Sequence, residues 1–443
     1  MKERVKSSDR RAFLRDIGFS TATFVAASWS GIASSVSEEI STKPIVITKS
    51  RLDALSAEFY DVFNQSKVLP PFTQGKHAAH FDIELRRIKT FTRVPETGER
   101  VKISGILAMP VGAKGRLPVV SWQHGTTLSF DQVPSNLMRL GESGYTLQDN
   151  VDSIETLFNL HRLAGQGFCV IAADYLGKGP FRDGRGEAYA VKNATVQTCV
   201  DILNAGLAIM RDFGVSRSAL FLNGWSQGGL NTLWLKQELQ RRRIKVAAVC
   251  AQSPFNNLAD TFRLWCGALN FASPGDPPYP PMPAWVCACI IVLLGSYREY
   301  YRLNDLFQTA IRPEYQNFAE NYWRSYPQGE DVLLRMPTPR ALLVDGFLDR
   351  FTANSNSQFL RHLASNSATF WDYDTPTRLY YGLADEALHP NLVTMALASD
   401  GVNVQGAPVS GANHRATFLA SLYGEGSIIA GKTTVPEFFR SVL

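Results

Sequence analysis

The stretch Ala219–Gly229 (ALFLNGWSQGG) constrains this chain more than any other, because an apolar run ends in G-x-S-x-G and passes directly into helix-forming sequence. A strand buried on both faces reads as such a continuous apolar run. Glycines at 224 and 228 permit a sharp strand-to-helix turn that lifts the hydroxyl of Ser226 clear of its neighbours. Ser226 is therefore the candidate nucleophile. The first turn of the helix that follows leaves the N–H of Gln227 free to bind an anion. The five-residue string alone is weak, and an ordinary glycine-rich turn is the competing reading; the strand before it and the helix after it give it meaning.

The flanking sequence supplies a matching scaffold. Residues 81–93 and 100–110 read as two strands joined by the turn Pro95-Glu96-Thr97-Gly98. Strand and helix patterns then alternate: strand 117–123, helix 153–164, strand 168–173, helix 191–213, the strand ending at Gly224, helix 227–242 and strand 245–251. After a break, strands are expected at 377–382 and 402–409 and a closing helix at 435–442. Such alternation predicts an α/β protein with a mostly parallel sheet covered by helices on both faces. Ligands in such sheets bind beyond the carboxyl ends of the strands, where Ser226 falls. With 443 residues and 45% hydrophobic content, the chain can bury a core of that size.

Residues 254–339 interrupt the alternation and are expected to form an inserted helical cap, leaving 80–253 and 340–443 as the core and 34–79 as an N-terminal extension. The insertion is rich in aromatics, including Trp265, Trp285, Tyr297, Tyr300, Tyr301, Tyr315, Tyr322, Trp323 and Tyr326, which are expected to roof an apolar site. Its apolar run, residues 284–294, is too short to span a bilayer. It suits either a buried cap helix or a lid that makes transient contact with a lipid surface.

Residues 1–33 differ from the rest. Asp9-Arg10-Arg11-Ala12-Phe13-Leu14-Arg15 precedes a Ser/Thr/Ala-rich apolar run that ends in Gly31-Ile32-Ala33, which resembles a twin-arginine export signal and predicts a periplasmic or extracellular protein. Removing this segment takes away six Lys/Arg and three Asp/Glu, lowering the formal net charge from +5 to +2. No basic stripe with interleaved aromatics suggests a nucleic-acid partner. The six cysteines show no C-x-x-C pair; Cys169 and Cys250 read as buried thiols, and a bridge from Cys266 to Cys287 or Cys289 is open in an oxidising compartment.

A serine nucleophile needs a base and a carboxylate to orient that base. Asp385 follows the expected strand at 377–382, and His414 follows the expected strand at 402–409. The order Ser, Asp, His is the one a nucleophile elbow requires. Asp345 is the rival acid, and the side chain of Glu386 is expected to diverge from that of its neighbour. The second oxyanion donor is expected after the strand ending at Gln123, where His124-Gly125-Thr126-Thr127 turns a backbone N–H inward. Thr126 is the candidate, Thr127 the near alternative, and His124 is read as structural. No histidine spacing matches a metal site, so no metal is expected.

With these motifs in place, the chain resembles the α/β-hydrolase superfamily, and within it the secretory-lipase-like serine esterase branch. The resemblance rests on Trp122-Gln123-His124-Gly125-Thr126-Thr127, Asp174-Tyr175-Leu176-Gly177-Lys178-Gly179, Gly224-Trp225-Ser226-Gln227-Gly228-Gly229 and residues 375–386 (TPTRLYYGLADE). It covers residue 80 to the C-terminus and is weakest in the insertion. The chain departs from that branch at Leu230-Asn231, where small residues are expected. The resemblance implies an α/β-hydrolase fold with an inserted helical cap, no cofactor and an acyl-enzyme route through Ser226, Asp385 and His414. The expected substrate is a small-molecule or lipid-like ester. A secreted peptidase or amidase on the same fold is the alternative, and a non-catalytic binding protein a more distant one.

Overall fold

The computed structural model describes residues 43–272, 279–327, 332, 334–347, 354–399 and 401–443. The expected export signal at 1–33 lies outside these residues. Nine strands form one sheet: β1 (Ile45–Ile47), β2 (Ile83–Arg93), β3 (Arg100–Pro110), β4 (Gly115–Gln123), β5 (Cys169–Ala173), β6 (Val215–Trp225), β7 (Ala248–Gln252), β8 (Thr377–Gly382) and β9 (Val404–Val409), in the order β1-β2-β3-β5-β4-β6-β7-β8-β9. β1, β2 and β3 pair antiparallel, and β3 also joins β5 antiparallel; every pairing from β5 through β4 to β9 is parallel. This is the mostly parallel sheet expected from the alternation, in the α/β-hydrolase arrangement that the resemblance implies.

The parallel strands are apolar on both faces because both are covered. Val119, Ile171, Leu222 and Val249 face one core, with the helices Lys192–Asp212 and Gln227–Arg241. Val120, Val170, Phe221 and Cys250 face the other, with the helices Lys49–Phe63, Ile154–Arg162 and His414–Tyr423. Residues 45–63, for which the sequence pattern predicts no elements, add an edge strand and a helix capped by the Thr48 hydroxyl. That helix docks through a buried chain in which His161 bonds Asp53 at 2.8 Å and the Tyr423 hydroxyl at 2.7 Å.

The chain passes from β4 to β5 on one side and then returns to β6 on the other, so the strand order reverses at β4. A crevice for ligands opens at such a reversal. The register pairs Gln123 with Gly224, which brings the loop starting at His124 directly beside the elbow.

Between β7 and β8 the described residues form helices and one isolated bridge that pairs Ile311 with Leu343, and the helix Asn354–Ser365 lies beyond the boundary expected at residue 339. The apolar run is the first part of the helix Ala284–Tyr300, and Val286–Leu294 are buried. A helix apolar all round is a core helix. Its residues 286–294 are thus core, and among the described residues no helix is long and apolar enough to cross a membrane. Trp323 fits against this helix because residue 295 is glycine: a Cβ there would lie 2.3 Å from the indole.

Three of the cap aromatics expected to roof the site bond the core instead. The Tyr297 hydroxyl donates to the Ala190 carbonyl at 3.1 Å, that of Tyr300 to Gly186 at 2.8 Å, and the Trp265 indole N–H to Ala387 at 2.8 Å. All six cysteines are free thiols, so neither Cys266 bridge forms.

The elbow helix packs closely despite Leu230-Asn231, because the approach is made by glycine. A Cβ on Gly228 would lie 1.9 Å from the Gln123 carbonyl oxygen, and one on Gly224 would lie 2.2 Å from the Gly228 carbonyl. Gly228→Ala is therefore expected to lower stability by roughly 1–3 kcal/mol or more. A urea midpoint equal to that of the wild type would show that this contact is not made.

Candidate active site

At the end of β6 the backbone turns through Ser226, which sits at φ 57° and ψ −119°, a conformation that residues other than glycine rarely adopt. The Ser226 N–H is held by the Gln252 carbonyl at 2.8 Å, at the end of the neighbouring strand β7. The helix Gln227–Arg241 begins at the next residue, leaving the Gln227 N–H without an intrahelical acceptor.

The loops after β8 and β9 are stitched together. Leu383 N–H donates to the Val409 carbonyl at 3.0 Å and Ala384 N–H to the Ala412 carbonyl at 3.1 Å. This stitching sets Asp385 against His414, whose Nδ1 lies 3.0 and 2.9 Å from the two carboxylate oxygens. Asp385 is fully buried and also accepts from the Ser253 hydroxyl at 2.7 Å and from the N–H groups of Ala387 and Leu388 at 3.1 and 3.0 Å. Nδ1 must carry the proton to serve a carboxylate that can only accept, which leaves Nε2 as the basic atom. The rival Asp345 is exposed and ion-paired with Arg312.

His414 is the first residue of the helix His414–Tyr423, capped by the Asn413 side chain, rather than a loop residue. Its backbone N–H donates to the Glu386 carboxylate at 2.9 Å. Glu386 thus does not diverge from the site as its position next to Asp385 predicts; it places an acid at a helix N-terminus, where negative charge is favoured. Burial works against a charged imidazole at His414, but the Asp385 charge and hydrogen bond, with Glu386 behind them, outweigh it and raise the pKa above the ordinary histidine value.

The Ser226 hydroxyl and the His414 ring are not hydrogen-bonded in this structure. The ring of Trp225, the residue before Ser226, has its centre 5.1 Å from that of His414. The ring centre of Trp285 in the cap lies 5.8 Å from that of His414, and the Tyr279 hydroxyl donates to the Asp385 carbonyl at 2.6 Å. Ser226 and His414 are left only 6% and 4% exposed. Hydrogen bonds between base and nucleophile commonly tighten only once substrate is bound.

Beside the elbow, the Gly125 carbonyl lies 2.8 Å from His124 Nδ1, and the His124 ring stacks on Tyr175 at 4.1 Å. Burial, with the Lys178 charge nearby, pushes the His124 pKa down to about 3, so this ring is neutral. In a trans peptide the N–H points opposite to the carbonyl, so tying Gly125 O to His124 aims the Thr126 N–H away from it. The Thr126 hydroxyl pairs with the Tyr189 hydroxyl at 2.9 Å, and the Thr127 carbonyl is bound by Lys178 at 2.7 Å. Among the described residues no group of three or more His, Cys, Asp or Glu is placed to hold a metal.

Sequence reasoning missed the roles of Ser253, Glu386, Tyr279 and Trp285. Ser253 follows the apolar strand β7 directly, and strand ends are where such sheets place functional groups. The other three depend on how loops and cap fold back, which no local pattern reports.

The sequence matches no protein-family model, and no curated protein matches it significantly. Solved structures do resemble it. A provisionally named hydrolase from Legionella pneumophila aligns with a TM-score of 0.69 at 18% identity, over 91% of this chain and 98% of that one. The rice cell wall degrading esterase LipA from Xanthomonas oryzae gives 0.65 at 19% identity, over 88% and 96%. Candida antarctica lipase A gives 0.56 at 14%, over 76% and 74%. At these identities the likeness establishes the α/β-hydrolase fold.

Two of the buried histidines, His414 and His124, should separate in a titration followed by histidine-selective NMR. His414 should protonate above the ordinary imidazole range, while His124 should stay neutral until about pH 3. Glu386→Gln should move His414 down and leave His124 in place. An unmoved His414, or one that titrates below the ordinary value, would contradict the electrostatics described here.

Proposed function

We propose that this protein is an exported serine hydrolase that cleaves carboxylic esters. The observation that carries this reading is the buried Asp385–His414 pair set beside the strained Ser226 elbow at the point where the strand order reverses. In this reading His414 Nε2 takes the hydroxyl proton as Ser226 Oγ attacks the ester carbonyl, and Asp385 keeps the ring in the needed tautomer and offsets its charge. The N–H groups of Gln227 and Thr126 receive the oxyanion. Collapse expels the alcohol, which takes the proton from His414 and leaves the acyl group on Ser226. A water molecule then gives its proton to His414, attacks the acyl carbonyl and releases the acid as the proton returns to Ser226.

Several features support an ester rather than a polar peptide substrate. The groups that close over His414 from the cap are Trp285 and, through Asp385, Tyr279. The described part of the insertion presents no acidic clamp for a substrate amine. An esterase and a lipase are among the solved structures with this fold. Export is proposed from the twin-arginine pattern of residues 9–33.

Ser226→Ala should abolish hydrolysis of nitrophenyl esters, with a loss in kcat on the order of 10⁶, while the protein remains folded. Turnover within tenfold of the wild type would refute the nucleophile. In the wild type, kcat/KM should rise with acyl length from acetyl upward, since each buried CH₂ adds about 0.8 kcal/mol of favourable contact. Aminoacyl amides turning over faster than any ester would identify an amidase instead.

A further inference from the structure

Behind the proposed oxyanion donors lies a buried ion pair that the ester-hydrolase chemistry does not itself use. Lys178 lies in the turn after β5 and Glu187 in the loop that follows; their side chains are 0% and 1% exposed. All three ammonium protons have acceptors: the Thr127 carbonyl at 2.7 Å, the Thr127 hydroxyl, and Glu187 Oε2 at 3.4 Å. Glu187 in turn accepts from the Gln227 side-chain amide at 3.1 Å and from the Tyr326 hydroxyl at 3.0 Å. Its own backbone carbonyl accepts from the Ser296 hydroxyl of the cap helix at 2.6 Å.

For stability alone, a buried ion pair has no general advantage over apolar side chains of the same volume. The contacts of this one reach both sides of the site. Lys178 fixes the Thr127 carbonyl while His124 fixes that of Gly125, so the backbone that carries the Thr126 N–H is clamped before and after that residue. Glu187 holds the side chain of Gln227, the residue whose N–H opens the elbow helix. The cap reaches the same residue through Tyr326 and Ser296.

Resting on the ester-hydrolase reading, we propose that Lys178 and Glu187 are a positioning pair that fixes the two oxyanion donors relative to each other and ties that geometry to the seating of the cap. Neither residue touches the reacting atoms. The pair acts by holding the Thr126–Thr127 backbone and the start of the elbow helix in register, so its loss should weaken binding of the oxyanion and spare binding of the ground-state ester.

The test uses Lys178→Met and the double variant Lys178→Met/Glu187→Gln on the full protein. The single change leaves a buried carboxylate without its partner and is expected to lower the melting temperature. The double change removes both charges; the amide it introduces keeps its oxygen as acceptor for the Gln227 side chain and turns its NH2 to the Tyr326 hydroxyl, which can accept as well as donate, so this variant should melt close to the wild type. In the double variant kcat should fall on the order of 10²-fold with KM within about threefold. A trifluoromethyl ketone, which forms an oxyanion on the serine, should weaken by the same factor as kcat/KM, whereas the corresponding methyl ketone should bind as before. Unchanged kcat and trifluoroketone affinity in the folded double variant would overturn the proposal, as would a loss shared equally by both ketones. If Ser226→Ala keeps its activity, the assignment of Ser226 as nucleophile fails and the positioning role goes with it, whereas a wild type that turns over no ester refutes the ester-hydrolase reading.

Discussion

The carbonyl of Gln123 occupies the space where a side chain on residue 228 would stand, and the rest of the site depends on that contact. It lets the helix after β6 press against the end of β4, which forces the backbone through Ser226 into its positive-φ turn and presents the hydroxyl above the sheet. The same approach lays the loop from His124 to Thr127 alongside the first turn of the helix. The proposed nucleophile and both proposed oxyanion donors are thus fixed by one backbone packing event between adjacent parallel strands, where deformation is small.

The proposed base, His414, arrives independently, on the helix that follows β9. Its placement rests on the hydrogen bonds between the loops after β8 and β9, and on a carboxylate that has three donors besides His414. A carboxylate so satisfied can stay buried at the histidine, and with Glu386 at the helix N-terminus it makes His414 a stronger base than a free imidazole. His124 is tuned the opposite way by burial and by the nearby Lys178, and remains a neutral donor to the backbone. Two histidines near one site thus have opposite electrostatic surroundings and distinct tasks.

The parts of this arrangement legible in the sequence are those written in local patterns. The strand-turn-helix at 219–229 and the β2–β3 hairpin follow from apolar periodicity and glycine placement, and the hairpin pairs Ile83 through Arg93 with Pro110 through Arg100. The edge strand and helix at 45–63 were not legible, because a three-residue strand carries little pattern and the helix gains its stability from a buried Asp53–His161–Tyr423 chain assembled from distant segments. The cap misled in a different way. Its aromatic content suggested pocket walls, yet Tyr297, Tyr300 and Trp265 direct their polar atoms to carbonyls of the core. Composition reports how much apolar surface an insertion has and says nothing of which side it faces.

The account's central claim is that Ser226 is the nucleophile, and it is tested most directly by treating the wild-type protein with a fluorophosphonate ester and mapping the adduct by peptide mass spectrometry. A single adduct on Ser226, formed in step with loss of esterase activity, is the predicted result. An adduct on another residue, or inactivation that leaves Ser226 unmodified, would contradict the account.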